Sequence, residues 1–159
     1  MGEVIVKLEP VTCLISPLAL NHYAKDFLRA GSSLEELPSG TFSPVQHYLF
    51  ARANELALKA FLRASGLSLK LLATKEYGHN LARLLSEAES RDLLAAVSLK
   101  PEHCAEIRRA DEYYSEKLFE YPNLGEMLKG YPEKPDPALL RNAAEVLVGE
   151  LEAVCLDAR

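Results

Sequence analysis

The chain is 159 residues long, 48% hydrophobic and 26% charged, with a formal net charge of −5. That length and balance suit one globular domain with a sizeable core, here residues 1–159. The mild acidity argues against a generic nucleic-acid coat, which needs a basic footprint, but leaves room for a small basic pocket.

At the start, Val4, Val6 and Leu8 alternate with Ile5, Lys7 and Glu9 until Pro10. The alternation predicts a short strand or an extended arm over residues 1–15, and a lone strand is marginal unless it pairs. The same stretch lacks the basic head and apolar core of a signal peptide. No apolar run approaches membrane-spanning length. A soluble, cytoplasmic protein that does not enter the membrane is expected.

Ser16-Pro17 is a helix start, serine as cap and proline in the first turn. The helix is predicted to run to Ala30 with Gly31 ending it, and Leu20, Tyr23 and Phe27 give its apolar side. Pro38 and Gly40 mark a loop. Ser43-Pro44 repeats the cap signal and opens the central element, SPVQHYLFARANELALKAFLRAS. Its apolar residues fall in two rows: Val45, Leu49, Ala53, Leu56, Ala60 and Ala64, then Phe50, Ala57 and Phe61. Steps of three and four describe a wide helical face that touches several neighbours.

Beyond Gly66 a short helical turn is expected before Gly78. His79 or Asn80 can cap the next helix, with Leu81, Leu84, Leu85 and Ala88 on its apolar side. Ser90 and Asp92 start a short helix through Leu93, Leu94 and Val97. Pro101 opens a longer one that carries Cys104, Ile107, Tyr114, Leu118 and Tyr121 and ends at Pro122. Residues 123–134, rich in proline and glycine, predict an irregular loop. Asp136-Pro137 starts the last helix, where Leu140, Ala144, Leu147, Leu151 and Val154 form a core-facing stripe. The sum is an all-α fold, an antiparallel helical bundle of four to six helices over residues 16–159.

Cys13, Cys104 and Cys155 are odd in number and show no paired spacing, so free thiols are expected and a zinc site is not. No nucleophile elbow, Walker loop, dinucleotide fingerprint or HExxH motif occurs, and no cofactor or metal is expected. Cys104 follows His103 on a helix, and neighbours there point apart, so the pair is a poor nucleophile–base couple.

Residues 51–66 (ARANELALKAFLRASG), 78–85 (GHNLARLL) and 111–125 (DEYYSEKLFEYPNLG) carry a family likeness. Together, over roughly residues 43–125, they resemble the HEPN domain family. In that family a helix of the ELALKA type precedes a loop and a Gly-His-Asn/Asp-Leu helix start. The resemblance implies a bundle of four or more helices, often homodimeric. Members include RNA-cleaving toxins, nucleotide-binding companions of small nucleotidyltransferases and modules without established activity. The ribonuclease members carry an arginine followed by a histidine with four to six residues between them. None of His22, His47, His79 or His103 has one, which argues against RNA cleavage.

Three groups are candidates for a site. His79 stands at a loop–helix junction beside Lys75, Tyr77 and Asn80, where helix N–H groups favour an anion. Its structural alternative is a cap whose ring bonds to Glu55 on the central helix. Arg52, Glu55, Lys59 and Arg63 share one helix side, read either as a basic rail beside the His79 junction or, the commoner case, as the solvated face of an amphipathic helix. Tyr113, Tyr114, Lys117 and Tyr121 offer rings for a base and a cation for a phosphate, against simple core packing or a dimer contact.

The leading expectation is therefore a HEPN-like, non-catalytic binding module for a nucleotide, an RNA or a protein partner. Lys75, His79, Asn80, Tyr113, Tyr114, Lys117 and Tyr121 would line its site. The alternatives are an RNA-processing or nucleotide-modifying enzyme with a non-standard site around His79, or a homodimeric scaffold, the companion in an operon-encoded pair.

Overall fold

Serine, asparagine or aspartate caps set most of the helix starts. Ser16, Ser43, Ser68, Asn80, Asn123 and Asp136 each accept a hydrogen bond from a first-turn N–H, satisfying donors that a helix start otherwise leaves orphaned. A computed structural model describes residues 15–35, 38, 41–121, 123–131 and 133–158. The predicted arm, apart from Ile15, lies outside them. In order the helices are α1 (Pro17–Ser32), α2 (Pro44–Ala64), α3 (Leu69–Leu72), α4 (Leu81–Glu89), α5 (Leu93–Ala96), α6 (Pro101–Ser115), α7 (Leu124–Lys129) and α8 (Pro137–Asp157). The fold is an all-α bundle built on α1, α2, α4, α6 and α8, with three short helices in the connections. Among the described residues no helix is long and apolar enough to cross a membrane.

α2 is the axis of this bundle, with α1, α4, α6 and α8 packed around it. Its burial exceeds the predicted face: Ala51, Asn54, Leu58 and Leu62 are buried as well as Phe50, Ala57 and Phe61. Val45 departs from the prediction and is exposed, although Phe42 before it and His47 after it pack inward. The small side chains Ala24, Ala51, Ala53, Ala57, Ala60, Ala143 and Ala144 are all fully buried, so α1, α2 and α8 approach closely. Two asparagines cross these smooth interfaces. Asn21 Nδ2 donates to Val148 O at 3.0 Å, and Asn54 Nδ2 donates to Leu140 O at 2.9 Å.

Three predicted boundaries are corrected. Gly31 does not end α1 but lies inside it, where the Phe50 ring packs against it; an added Cβ would stand 2.6 Å from that ring. α6 stops at Ser115 rather than Pro122. Lys117 takes a left-handed backbone, φ 59°, and the chain turns so that Phe119 returns to the core while Tyr121 points outward. The expected loop over residues 123–134 contains α7, capped by Asn123.

His47 ties this corner together. Its ring is fully buried, with Nδ1 2.6 Å from Ser43 O and Nε2 2.9 Å from Pro135 O. It thereby fixes the chain entering α8 against the start of α2. Burial pushes its pKa below the ordinary histidine value, opposed by the two carbonyls.

Candidate functional site

α2 runs through the bundle with Glu55 on the side that meets the loop before α4. That loop is held by its own bonds. Thr74 O accepts from the N–H groups of Tyr77 and Gly78, and a Cβ on Gly78 would stand only 3.1 Å from the same oxygen. Tyr77 is buried, and its hydroxyl meets Arg83 and Glu87 on α4. Gly78 and His79 are thus delivered to α2 in a fixed position.

Glu55 is fully buried and surrounded by donors. Lys59 Nζ reaches Oε1 at 2.5 Å, Arg52 Nη1 reaches Oε2 at 2.8 Å, and His79 Nδ1 lies 3.2 Å from Oε2. The Tyr114 hydroxyl, arriving from α6, also donates to Oε2. Lys59 makes a second bond to Gly78 O at 2.7 Å, linking the carboxylate to the loop backbone. The His79 ring stands edge-on to Tyr114, with centroids 5.6 Å apart.

Burial alone would raise the pKa of Glu55. The His79 hydrogen bond and the charges of Lys59 and Arg52 outweigh it and hold the carboxyl at about 2. Tyr114 is pushed far above its ordinary value by burial and by the adjacent carboxylate, so it stays a neutral donor. Burial works against the Arg52 charge, but Glu55 overcomes it and raises its pKa. The floor of the site is one ionised carboxylate beside the Arg52 and Lys59 side chains. The His79 side chain is 55% exposed, so its ring reaches solvent at the rim. With Nδ1 turned to Glu55, Nε2 has no partner among the described residues and can accept or donate according to its protonation.

The predicted candidates divide. His79 and Tyr114 meet at Glu55. Asn80 caps α4 through a 2.8 Å bond from Arg83 N. Leu81 N donates to Asp111 Oδ1 at 2.5 Å, and burial raises the Asp111 pKa against the pull of the Leu81 and Ala82 N–H groups. The start of α4 is therefore filled by the protein's own acceptors, and the helix-terminus route to anion binding is closed. Lys75 is exposed on the preceding turn. Tyr113 does not reach Glu55 and is buried with Phe42, Phe119 and Tyr131. Lys117 and Tyr121 are exposed beyond the end of α6. The reading of Arg52, Glu55 and Lys59 as a solvated face is also corrected, because Glu55 has no exposed side-chain surface and Lys59 only 12%. Arg63 takes no part and donates to Leu67 O at 3.1 Å.

No family model matches the chain, and neither the curated proteins nor the solved structures contain a match.

Proposed function

We propose that the protein is a HEPN-like binding module whose site is the rim above Glu55, and that it takes a phosphate-bearing ligand, a nucleotide or an RNA end. The observation that carries this reading is the excess of cations around a buried carboxylate. Arg52 and Lys59 contribute two positive charges against one negative, all desolvated enough for the imbalance to act at short range. A guanidinium has five donors, and Arg52 turns Nη1 to Glu55. His79 Nε2 adds a directed group at the opening, and Lys75 stands on the turn that leads to it. The order of the motifs in the resembling family, ELALKA helix, loop, Gly-His-Asn-Leu, then tyrosine-rich helix, matches the elements that converge here.

Thermal unfolding with inorganic phosphate, a nucleotide panel and short RNAs tests the reading. A ligand at about a hundred times its dissociation constant adds roughly 2.7 kcal/mol, a rise of about 5–10 °C for a chain of this size. The rise over its own unliganded melting should be lost in the His79→Ala, Lys75→Ala double variant, which itself melts below the parent because His79 no longer bonds Glu55. No rise with any probe, or a full rise in the variant, removes the proposal.

A second, enzymatic reading rests on the Glu55–His79 bond. A carboxylate held on Nδ1 fixes the ring so that a neutral imidazole presents Nε2 as a base. Arg52 would stabilise developing negative charge. Turnover retained in a His79→Ala protein would eliminate it.

A further inference from the structure

A second concavity lies between the start of α2, the turn after α6 and α7. It has a volume of about 370 Å³, within the range of small-ligand sites. Its walls are the rings of Phe42, Phe119, Tyr121 and Tyr131, with Met127 from α7. The one charged side chain among the described lining residues is Glu120. Phe42 and Tyr131 stack at 4.0 Å, and Phe42 and Phe119 lie 6.1 Å apart. Tyr131 holds its place in the stack although its backbone is left-handed, φ 51°, a conformation that is costly for a bulky side chain. Tyr113 stands behind Phe119 and Tyr131. Burial first, then the negative charge of Glu126, with Glu133 and Glu112 adding, pushes its hydroxyl above the ordinary pKa.

The chemistry of these walls is one-sided. Ring faces carry the negative part of the aromatic quadrupole and attract a cation placed over them. Glu120 supplies a formal negative charge at the cavity, and among the described residues no lysine or arginine lines it. Inorganic cations keep their hydration and are poorly served by apolar walls. A weakly hydrated organic cation meets both the rings and the carboxylate. Tyr121 is 65% exposed, so this wall is a side chain free to fold over an occupant.

We infer that this cavity is a binding site for an alkylated ammonium group, held by the Phe42, Phe119, Tyr121 and Tyr131 rings with Glu120 as counter-charge. The cavity shares no lining residue with the Glu55 site, although its Phe119 ring touches both Tyr113 and Tyr114.

Binding of choline is compared with binding of its uncharged isostere 3,3-dimethyl-1-butanol by NMR titration of the full chain at fixed ionic strength. Saturable shifts of the Met127 methyl and the Tyr121 ring are expected with choline, at an affinity about tenfold above that for the neutral alcohol. Glu120→Gln and Tyr121→Leu, both changes at exposed positions, should each weaken choline several-fold and leave thermal melting unchanged. Lys75→Ala should bind choline as the parent does. Equal affinity for the alcohol would make the cavity a plain apolar cleft and overturn the inference. So would choline binding that ignores both variants, or the absence of a saturable shift up to the solubility limit.

Discussion

Replacing Glu55 by glutamine keeps the shape of the side chain and removes the charge on which Arg52, Lys59, His79 and Tyr114 converge. The size of the effect follows from proton linkage. The carboxyl titrates at about 2 in the folded protein against an ordinary 4.5. At about 1.4 kcal/mol per pH unit, that difference makes the ionised group worth about 3 kcal/mol at neutral pH. The folded pKa is the lower one, so this stability is fully present above pH 4.5 and is lost as pH falls through about 2. The gap between parent and Glu55→Gln should therefore be about 3 kcal/mol at pH 7 and shrink to roughly half of that at pH 3. Urea unfolding reads it directly, since at a slope of about 2 kcal/mol/M the neutral-pH midpoints should lie about 1.5 M apart. Coincident midpoints at pH 7, or a gap unchanged between pH 7 and pH 3, would refute the argument that a buried, ionised Glu55 organises the site.

Two glycines in helices should respond in opposite directions. Gly31→Ala drives a methyl against the buried Phe50 ring and should destabilise by about 1–3 kcal/mol in chemical denaturation. Gly149→Ala, in mid-α8 with nothing within 4 Å of the new Cβ, should stabilise by about 0.5–1 kcal/mol. Asn80→Ala removes the α4 cap and should cost about 1 kcal/mol. Because Asn80 supports the chain beside His79, the same variant should also weaken any phosphate ligand in the thermal assay, even though its own side chain is committed to Arg83.

The parts of this fold that were legible in the sequence are those whose cause is local. Ser16-Pro17, Ser43-Pro44 and Asp136-Pro137 announce helix starts because cap and proline act within a few residues of themselves. The end of α6 was hidden because Tyr114, Leu118 and Tyr121 continue a helical spacing that the chain does not follow. The break at Lys117 serves a distant requirement, the return of Phe119 to pack with Tyr113 and Phe42. α7 was masked by the density of proline and glycine around a short helix that buries none of its residues. The charged row on α2 illustrates the limit for the site. Arg52, Glu55 and Lys59 at helical spacing look the same whether solvated or buried. What buries Glu55 is the arrival of Gly78–His79 and Tyr114 from 23 or more residues along the chain. The spacing of α2 alone holds no trace of that approach.

The alanine-lined contact between α1, α2 and α8 has a consequence for uniqueness of structure. Faces built from small side chains interlock weakly, and helices packed on them can slide with little change in buried area. Asn21 and Asn54 act as two pegs, eight residues apart on α8 at Val148 and Leu140. They set the axial register of α8, and with it where the chain before α8 meets His47. A leucine at Asn54 would preserve much of the packing energy but remove one peg, leaving Asn21 and the His47–Pro135 bond to hold the alignment.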